Sequence, residues 1–122
     1  MTELRAGLGT STAHNTASGA REALDAALRS LGDARPRVAI VAATAQSDLR
    51  EAVHGLRARL PGVPIHAGTS SLGVLTAGGI VAGAKGALGV LLLGGEGLVA
   101  SVGSSALGSD ARAAGRAAAL GA

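Results

Sequence analysis

The first third of the chain changes from a two-residue to a helical hydrophobic period. Residues 4–9 place Leu or Ala at every second position, and this alternation predicts a strand with one face more buried than the other. Within 17–31 the apolar residues recur at spacings of three and four, which predicts an amphipathic helix. Asn15 or Thr16 is suited to cap its start, and Gly32 is suited to end it in a left-handed conformation.

The next segments repeat this order. Residues 38–43 are apolar without alternation, which is typical of a strand buried on both faces of a parallel sheet. A helix is predicted over 48–60 with Ser47 as its N-cap, followed by a third strand over 63–68. Strand, helix, strand, helix and strand joined by short connections predict βαβ crossovers and three parallel strands.

Beyond residue 70 the pattern becomes rich in glycine, which disfavours strong helices and favours short strands. The predicted strands are 73–76, 79–82, 87–93 and 98–103, the last two joined as a hairpin by residues 94–97. Ser109 and Asp110 cap a final alanine-rich helix that ends near Leu120. The predicted fold is therefore α/β: three parallel strands lead into a glycine-rich antiparallel meander and a C-terminal Ala-rich helix, all in one domain over 1–122.

The amino-acid composition limits the kind of core that the chain can build and the partners that it can bind. The chain has 122 residues, which is enough for a single core, and no aromatic residue. Its core must therefore be built from small aliphatic side chains, and the 20 glycines allow elements to approach closely. Proteins that bind single-stranded nucleic acid stack bases on aromatic faces, so the composition predicts no nucleic-acid partner. The net charge of +3 comes from arginines scattered among acids, as on an ordinary solvated surface.

Cellular location is also constrained. There is no cysteine, so disulfides, thiolate catalysis and Cys-based metal sites are excluded. The N-terminal residues lack the charged and apolar regions of a secretory signal. The most apolar region, 72–95, is interrupted by Lys85 into pieces shorter than the ~20 residues a membrane helix needs. We expect a soluble cytoplasmic protein without membrane insertion.

The glycine-rich motifs do not meet the requirements of known catalytic or cofactor loops. Gly-Ala-Lys-Gly at 83–86 lacks the spacing of a phosphate loop, and residues 7–12 lack the third glycine of a dinucleotide fingerprint. The stretch 68–72 breaks the Gly-x-Ser-x-Gly pattern of a serine hydrolase. His14, His54 and His66 are isolated from clustered acids. The sequence therefore predicts neither an enzyme nor a metal or cofactor site.

One group of polar residues remains, and it is defined by position. Hydroxyl-bearing residues follow the carboxyl ends of the three predicted parallel strands, the edge at which open α/β sheets bind ligands. The predicted ligand-binding residues are Thr10, Ser11, Thr44, Gly68, Thr69, Ser70 and Ser71. Hydroxyls and free N–H groups there suit a small polar or anionic molecule without covalent chemistry. The alternative is that these residues only cap helices and form turns.

Taken in order, these segments resemble the N-terminal part of the FIST domain, a sensory module of bacterial signal-transduction proteins. The most specific match is Gly-Thr-Ser-Ser-Leu-Gly at 68–73, where FIST sequences commonly read Gly-Cys-Ser/Thr-Ser/Thr-Ala-Gly-Glu. Gly68, Ser70, Ser71 and Gly73 fit that motif, whereas the residues at 69, 72 and 74 depart from it.

The resemblance implies a sensing role for small molecules such as amino acids or organic acids, with signals passed on to other domains. Some family members are thought to bind haem, which is a minor alternative here. The family module has a further half and an output domain beyond the part that these 122 residues resemble, so we expect a signal to leave through association. The leading hypothesis is thus a non-enzymatic FIST-like binding module that acts as a homo-oligomer. The second hypothesis is a self-assembling structural protein built from a truncated module, because residues 72–103 are apolar and edge strands can pair between chains.

Overall fold

The computed structural model describes residues 3–70 and 73–122, and shows a mixed α/β fold with a C-terminal helix. Its elements in chain order are β1 (Arg5–Ser11), α1 (Thr16–Leu31), β2 (Pro36–Thr44), α2 (Leu49–Arg59), β3 (Ile65–Ser70), β4 (Val74–Thr76), β5 (Gly79–Val81), β6 (Leu88–Gly94) and α3 (Ala111–Leu120).

The main sheet has four strands in the order β1-β6-β2-β3. β2 and β3 pair in parallel, whereas β6 pairs antiparallel with both β1 and β2. β1 therefore runs in the same direction as β2 but is separated from it by β6. The prediction of α/β with strands and helices in this order is confirmed at that level, but the expectation that the three first strands form a purely parallel sheet is wrong.

The second half of the chain differs most from the prediction. β4 and β5 form a separate two-stranded sheet, and β6 enters the middle of the main sheet instead of continuing a meander. The predicted strand over 98–103 and the hairpin at 94–97 are wrong, because residues 98–107 have no regular secondary structure. The apolar run of β6 carries no alternation, and such a run suits a central strand with neighbours on both sides.

Both long helices pack on one face of the sheet, where the core lies. Buried side chains alternate along β2 and β6, and they meet α1 residues such as Leu24 and Leu31 and the α2 residue Leu56. On β1 the residues that face the helices are Gly7 and Gly9. A Cβ on Gly9 would lie 2.7 Å from the Ala27 backbone nitrogen and closer still to the Ala23 carbonyl oxygen. The glycines therefore bring α1 onto the backbone of β1, while Leu8 points to the opposite face.

The helix ends follow local chemistry. The Asn15 side chain accepts a hydrogen bond from the Ser18 N–H at 2.9 Å and caps α1, as one of the two predicted residues. Gly32 ends α1 at φ 76° but with ψ −134°, so its backbone has positive φ without the left-handed helical ψ that was expected. α2 is capped by Asp48, whose carboxylate accepts from the Glu51 N–H at 3.0 Å, so the prediction of Ser47 is wrong. Asp110 caps α3 as predicted.

The second face of the main sheet is apolar and only partly covered. Leu8 and Ile40 are each 39% exposed there, and Leu91 lies between them in the register of the strands. The β4–β5 hairpin covers only the carboxyl end of this face, where Val74 lies over Gly89. We call the exposed part the open face; it comprises Ala6, Leu8, Val38, Ile40, Leu91 and Leu93.

Within the residues that the structure describes, none of the helices has both the length and the apolar character needed to cross a membrane.

Candidate functional site

The predicted ligand residues do meet at one edge of the sheet. In the register of the sheet, Ser11 of β1 pairs with Leu88 of β6. Leu88 also pairs with Ala43 of β2, and Ala43 pairs with Thr69 of β3. Thr44 and Ser70 form the next pair of the β2–β3 ladder. The insertion of β6 thus leaves the ends of β1, β2 and β3 in one row, and we call this row the hydroxyl edge.

Two of these hydroxyls are used inside the protein. Thr44 is buried, its N–H donates to the Ala87 carbonyl at 2.9 Å, and its Oγ1 accepts from the Ala87 N–H at 3.0 Å. Ser11 is also buried, and its Oγ accepts from the Ala13 N–H at 3.1 Å. These hydrogen bonds hold the loop that follows β1 and the loop that precedes β6 in place, and they thereby fix the backbone at the hydroxyl edge.

The remaining predicted residues divide between the two faces of the sheet. Ser70 is half-buried, and its Oγ donates to the Gly73 carbonyl at 2.6 Å. Thr69 is exposed on the helix side of the edge. Thr10 and Gly68 lie on the other side, level with Gly89 and Ala42. Ser71 lies outside the described residues. Of these residues Thr69 and Gly68 on β3 are exposed, whereas Thr10 is half-buried on β1 at the far end of the sheet.

Both long helices begin at the hydroxyl edge. The Thr16 hydroxyl, in the first turn of α1, accepts a hydrogen bond from the Asp48 N–H at 3.2 Å, so the two helix starts are tied together. Asp48 brings a carboxylate to this region, and its side chain is exposed although it caps α2. Helix N-termini favour negative charge, and here each already has a side-chain acceptor.

Sequence reasoning did not assign a site role to the loop before β6. Lys85, the single lysine of the chain, lies in this loop between Gly83 and Gly86. A Cβ on Gly86 would lie 2.9 Å from both the Thr44 Oγ1 and the Ser47 Oγ, so the loop presses against the end of β2. Gly86 has φ 115°, a conformation that favours glycine. The loop thereby places Lys85, which is exposed, next to Gly86 at the end of β2, and the Gly-Ala-Lys-Gly motif was its signal in the sequence.

The edge offers hydrogen bonding and charge but no assembled catalytic group. No cluster of three or more His, Cys, Asp or Glu side chains occurs among residues 3–70 and 73–122. His14 precedes α1, His54 lies on the outer side of α2 and His66 lies on β3, and all three are exposed. What the edge can do is hold a small molecule through an ammonium, a carboxylate and threonine hydroxyls.

Compared with protein-family models and with curated proteins, the sequence matches none. The similarity to FIST domains therefore stays a prediction that depends on the motif at 68–73.

Proposed function

We propose that this protein is a non-enzymatic sensing module that binds a small zwitterionic metabolite, such as an amino acid, at the hydroxyl edge. The observation that supports this most is the convergence of three strand ends, two helix starts and one lysine loop at the same edge. Open α/β sheets bind ligands outside the carboxyl ends of their strands. The FIST-like motif at 68–73 supports the same function.

The charges at the edge favour a zwitterion over a simple anion. Lys85 is suited to pair with a carboxylate, and Asp48 is suited to pair with an ammonium group. Thr69 provides an exposed hydroxyl that can donate or accept, and Thr10 provides a half-buried one at the other end of the row. A dianion such as phosphate would be repelled by the Asp48 carboxylate, which lies at the starts of α1 and α2.

A thermal-shift screen of the amino acids and small organic acids tests this function. A ligand at about one hundred times its Kd stabilises the folded state by about 2.7 kcal/mol, which raises the melting temperature by several degrees. We expect Lys85→Ala and Thr69→Ala to reduce the shift. Arg29→Ala is the control and should leave the shift unchanged, because Arg29 lies in the last turn of α1, at the opposite end of this helix from the hydroxyl edge. A screen in which no compound shifts the wild-type protein contradicts the proposal.

The open face favours a second function, self-association. A solvated sheet face normally carries polar residues, whereas here Leu8, Ile40 and Leu91 are left partly exposed. A homo-oligomer that buries this face would transmit ligand binding by association, or would act as a structural assembly without any ligand.

Sedimentation velocity separates these outcomes. Leu8→Lys places a charge in the middle of the open face, and we expect it to dissociate an oligomer held by this face. Leu120→Lys is the matched control, because Leu120 is 81% exposed on α3. A wild-type chain that sediments as a monomer at every concentration contradicts self-association through the open face.

A further inference from the structure

The end of the chain repeats the pattern of its beginning. Residues 6–11 read Ala-Gly-Leu-Gly-Thr-Ser and precede α1, whereas residues 100–105 read Ala-Ser-Val-Gly-Ser-Ser and precede α3. Both helices start at a side-chain cap, Asn15 in α1 and Asp110 in α3. In each unit, a six-residue stretch with glycine at its fourth position, Gly9 or Gly103, therefore precedes an alanine-rich helix.

The two units also share one packing contact. A Cβ on Gly9 would meet the Ala23 carbonyl and lie 2.7 Å from the Ala27 nitrogen; a Cβ on Gly103 would meet the Ala118 carbonyl and lie 2.8 Å from the Ala122 nitrogen. Ala23 is eight residues after the cap of α1, and Ala118 is eight residues after the cap of α3. Residues 98–105 thus lie on α3 as β1 lies on α1, and we call them the 98–105 segment.

The units differ in what lies beside the extended segment. β1 pairs along its whole length with β6, from Arg5 to Ser11. The 98–105 segment forms no ladder with any strand in the described part of the chain. The 98–105 segment therefore contacts its helix through Gly103 but has no neighbouring strand in the described part of the chain.

The 98–105 segment runs beside β3 in the same direction. Leu98–Ala100 share one cleft with Pro61–Pro64, and Val102–Ser104 share the next with Val63–Ala67. The second cleft has a volume of about 530 Å³, and we call it the β3 cleft. β1 and β2 likewise run in the same direction, and the gap between them is filled by the antiparallel strand β6. The β3 cleft thus lies between β3 and the 98–105 segment, as β6 lies between β1 and β2.

The edge of β3 is ready to form such a ladder. The Ala39 N–H donates to the Pro64 carbonyl at 2.9 Å, and the Ala45 N–H donates to the Ser70 carbonyl at 3.1 Å. Alternate β3 residues therefore face β2, and the N–H and carbonyl groups of Ile65 and Ala67 face the cleft. An unpaired strand edge of this kind is a template for another strand.

We propose that the β3 cleft binds an extended peptide strand from a partner protein, antiparallel to β3, by β-strand addition. Main-chain hydrogen bonds to β3 and to the 98–105 segment would hold it, as β6 is held between β1 and β2. Arg57 lies at the wall of the cleft near the start of β3 and forms no ion pair within residues 3–70 and 73–122. The partner strand therefore ends in a carboxylate that Arg57 can pair with.

The natural probe is a peptide with the sequence of residues 87–96, Ala-Leu-Gly-Val-Leu-Leu-Leu-Gly-Gly-Glu, because these residues already fill the equivalent gap. In the antiparallel orientation its terminal Glu lies at the Arg57 end of the cleft. The peptide carries a fluorophore and a solubilising group at its N-terminus. We expect saturable binding to the full chain, measured by fluorescence anisotropy, and loss of binding when alternate backbone nitrogens of the peptide are methylated.

Two variants of the chain test the location. Ala67→Pro removes one N–H that faces the cleft without removing a donor of the β2–β3 ladder, and it should weaken binding about three- to tenfold. Gly103→Ala forces the 98–105 segment away from α3 and should weaken binding further. Gly115→Ala is the control, because nothing lies within 4 Å of a Cβ there and binding should stay unchanged.

Equal affinity for the peptide and its methylated analogue, or an unchanged affinity in Ala67→Pro, overturns the proposal. Self-association of the pure chain that Ala67→Pro abolishes would also overturn it, since the occupant would then be a second copy. These results are independent of the metabolite screen, because the hydroxyl edge and the β3 cleft use different residues.

Discussion

The β1–α1 unit and the unit formed by the 98–105 segment and α3 share one glycine contact but differ in almost everything around it. α1 buries six residues, including Leu24 and Leu31, whereas α3 buries none. β1 is hydrogen-bonded to β6 along seven residue pairs, and the 98–105 segment has no ladder in the described part of the chain.

This difference shows what a close glycine contact can and cannot do. It sets the distance between an extended segment and its helix, because no Cβ separates the two backbones. It does not make the segment a strand, since strand pairing requires a neighbour that accepts and donates hydrogen bonds. The first unit gains stability from the sheet and from the core, and the second lacks both contributions in the described part of the chain.

The largest difference should appear when one leucine of each helix is truncated. Leu24→Ala leaves a cavity in the core and should reduce the free energy of unfolding by about 3 kcal/mol. Leu120→Ala, on the exposed surface of α3, should change it by less than about 0.5 kcal/mol. Urea denaturation followed by far-UV circular dichroism measures both. Equal losses would mean that α3 belongs to the same core.

The shared glycine contact can be broken in each unit separately. Gly9→Ala forces β1 away from α1 and should cost about 2 kcal/mol, because the overlapping atoms belong to a buried helix backbone. Gly103→Ala creates the same overlap, yet should leave global unfolding nearly unchanged and increase amide exchange only within α3. Gly115→Ala is the matched control and should stabilise α3 through its higher helix propensity. A global loss from Gly103→Ala would remove the distinction between the units.

Removing the caps gives a smaller effect of the same kind. Asn15→Ala and Asp110→Ala each delete one hydrogen bond to a helix N–H, which is worth about 1 kcal/mol. We expect the first change to lower the midpoint of global unfolding and the second to lower only helical signal in native buffer. Asn15→Asp should keep the wild-type stability, because a carboxylate can also accept from the helix N–H, and this distinguishes a capping role from any other role of Asn15.

The smallest effect concerns the ion pair that links α1 of the first unit to α2. Arg59 of α2 lies 2.6 Å from Asp25 of α1, and both side chains are about 40% exposed, so solvent screens the pair. Asp25→Asn should cost less than about 1 kcal/mol, and the loss should shrink as salt increases. No ion pair involving α3 occurs in the described residues. A loss that does not respond to salt would point to packing instead.

The sequence predicted the three helices, β2 and β6 closely, because their hydrophobic periods and caps are local properties. It did not predict the neighbours of β6, since an apolar run such as Leu-Gly-Val-Leu-Leu-Leu shows that a strand is central but not where it is inserted. Residues 98–103 have a composition that suits a strand, but in the described part of the chain they have no neighbouring strand to pair with. In the candidate site, the sequence predicted that Ser11, Thr44 and Ser70 share an edge, and β6 keeps them in one row.

The amino-acid sequence by itself determined a small aliphatic core, the positions of the helices and the placement of hydroxyl residues after three strands. Only the tertiary structure decided that Ser11 and Thr44 are buried against backbone groups and that Lys85 comes to the end of β2. It also decided that, within the described residues, one sheet face and the outer edges of β1 and β3 stay uncovered. The physical reason is that periods and caps act over a few neighbouring residues. Burial and strand pairing depend on segments far apart in the chain, and they are fixed only when those segments meet.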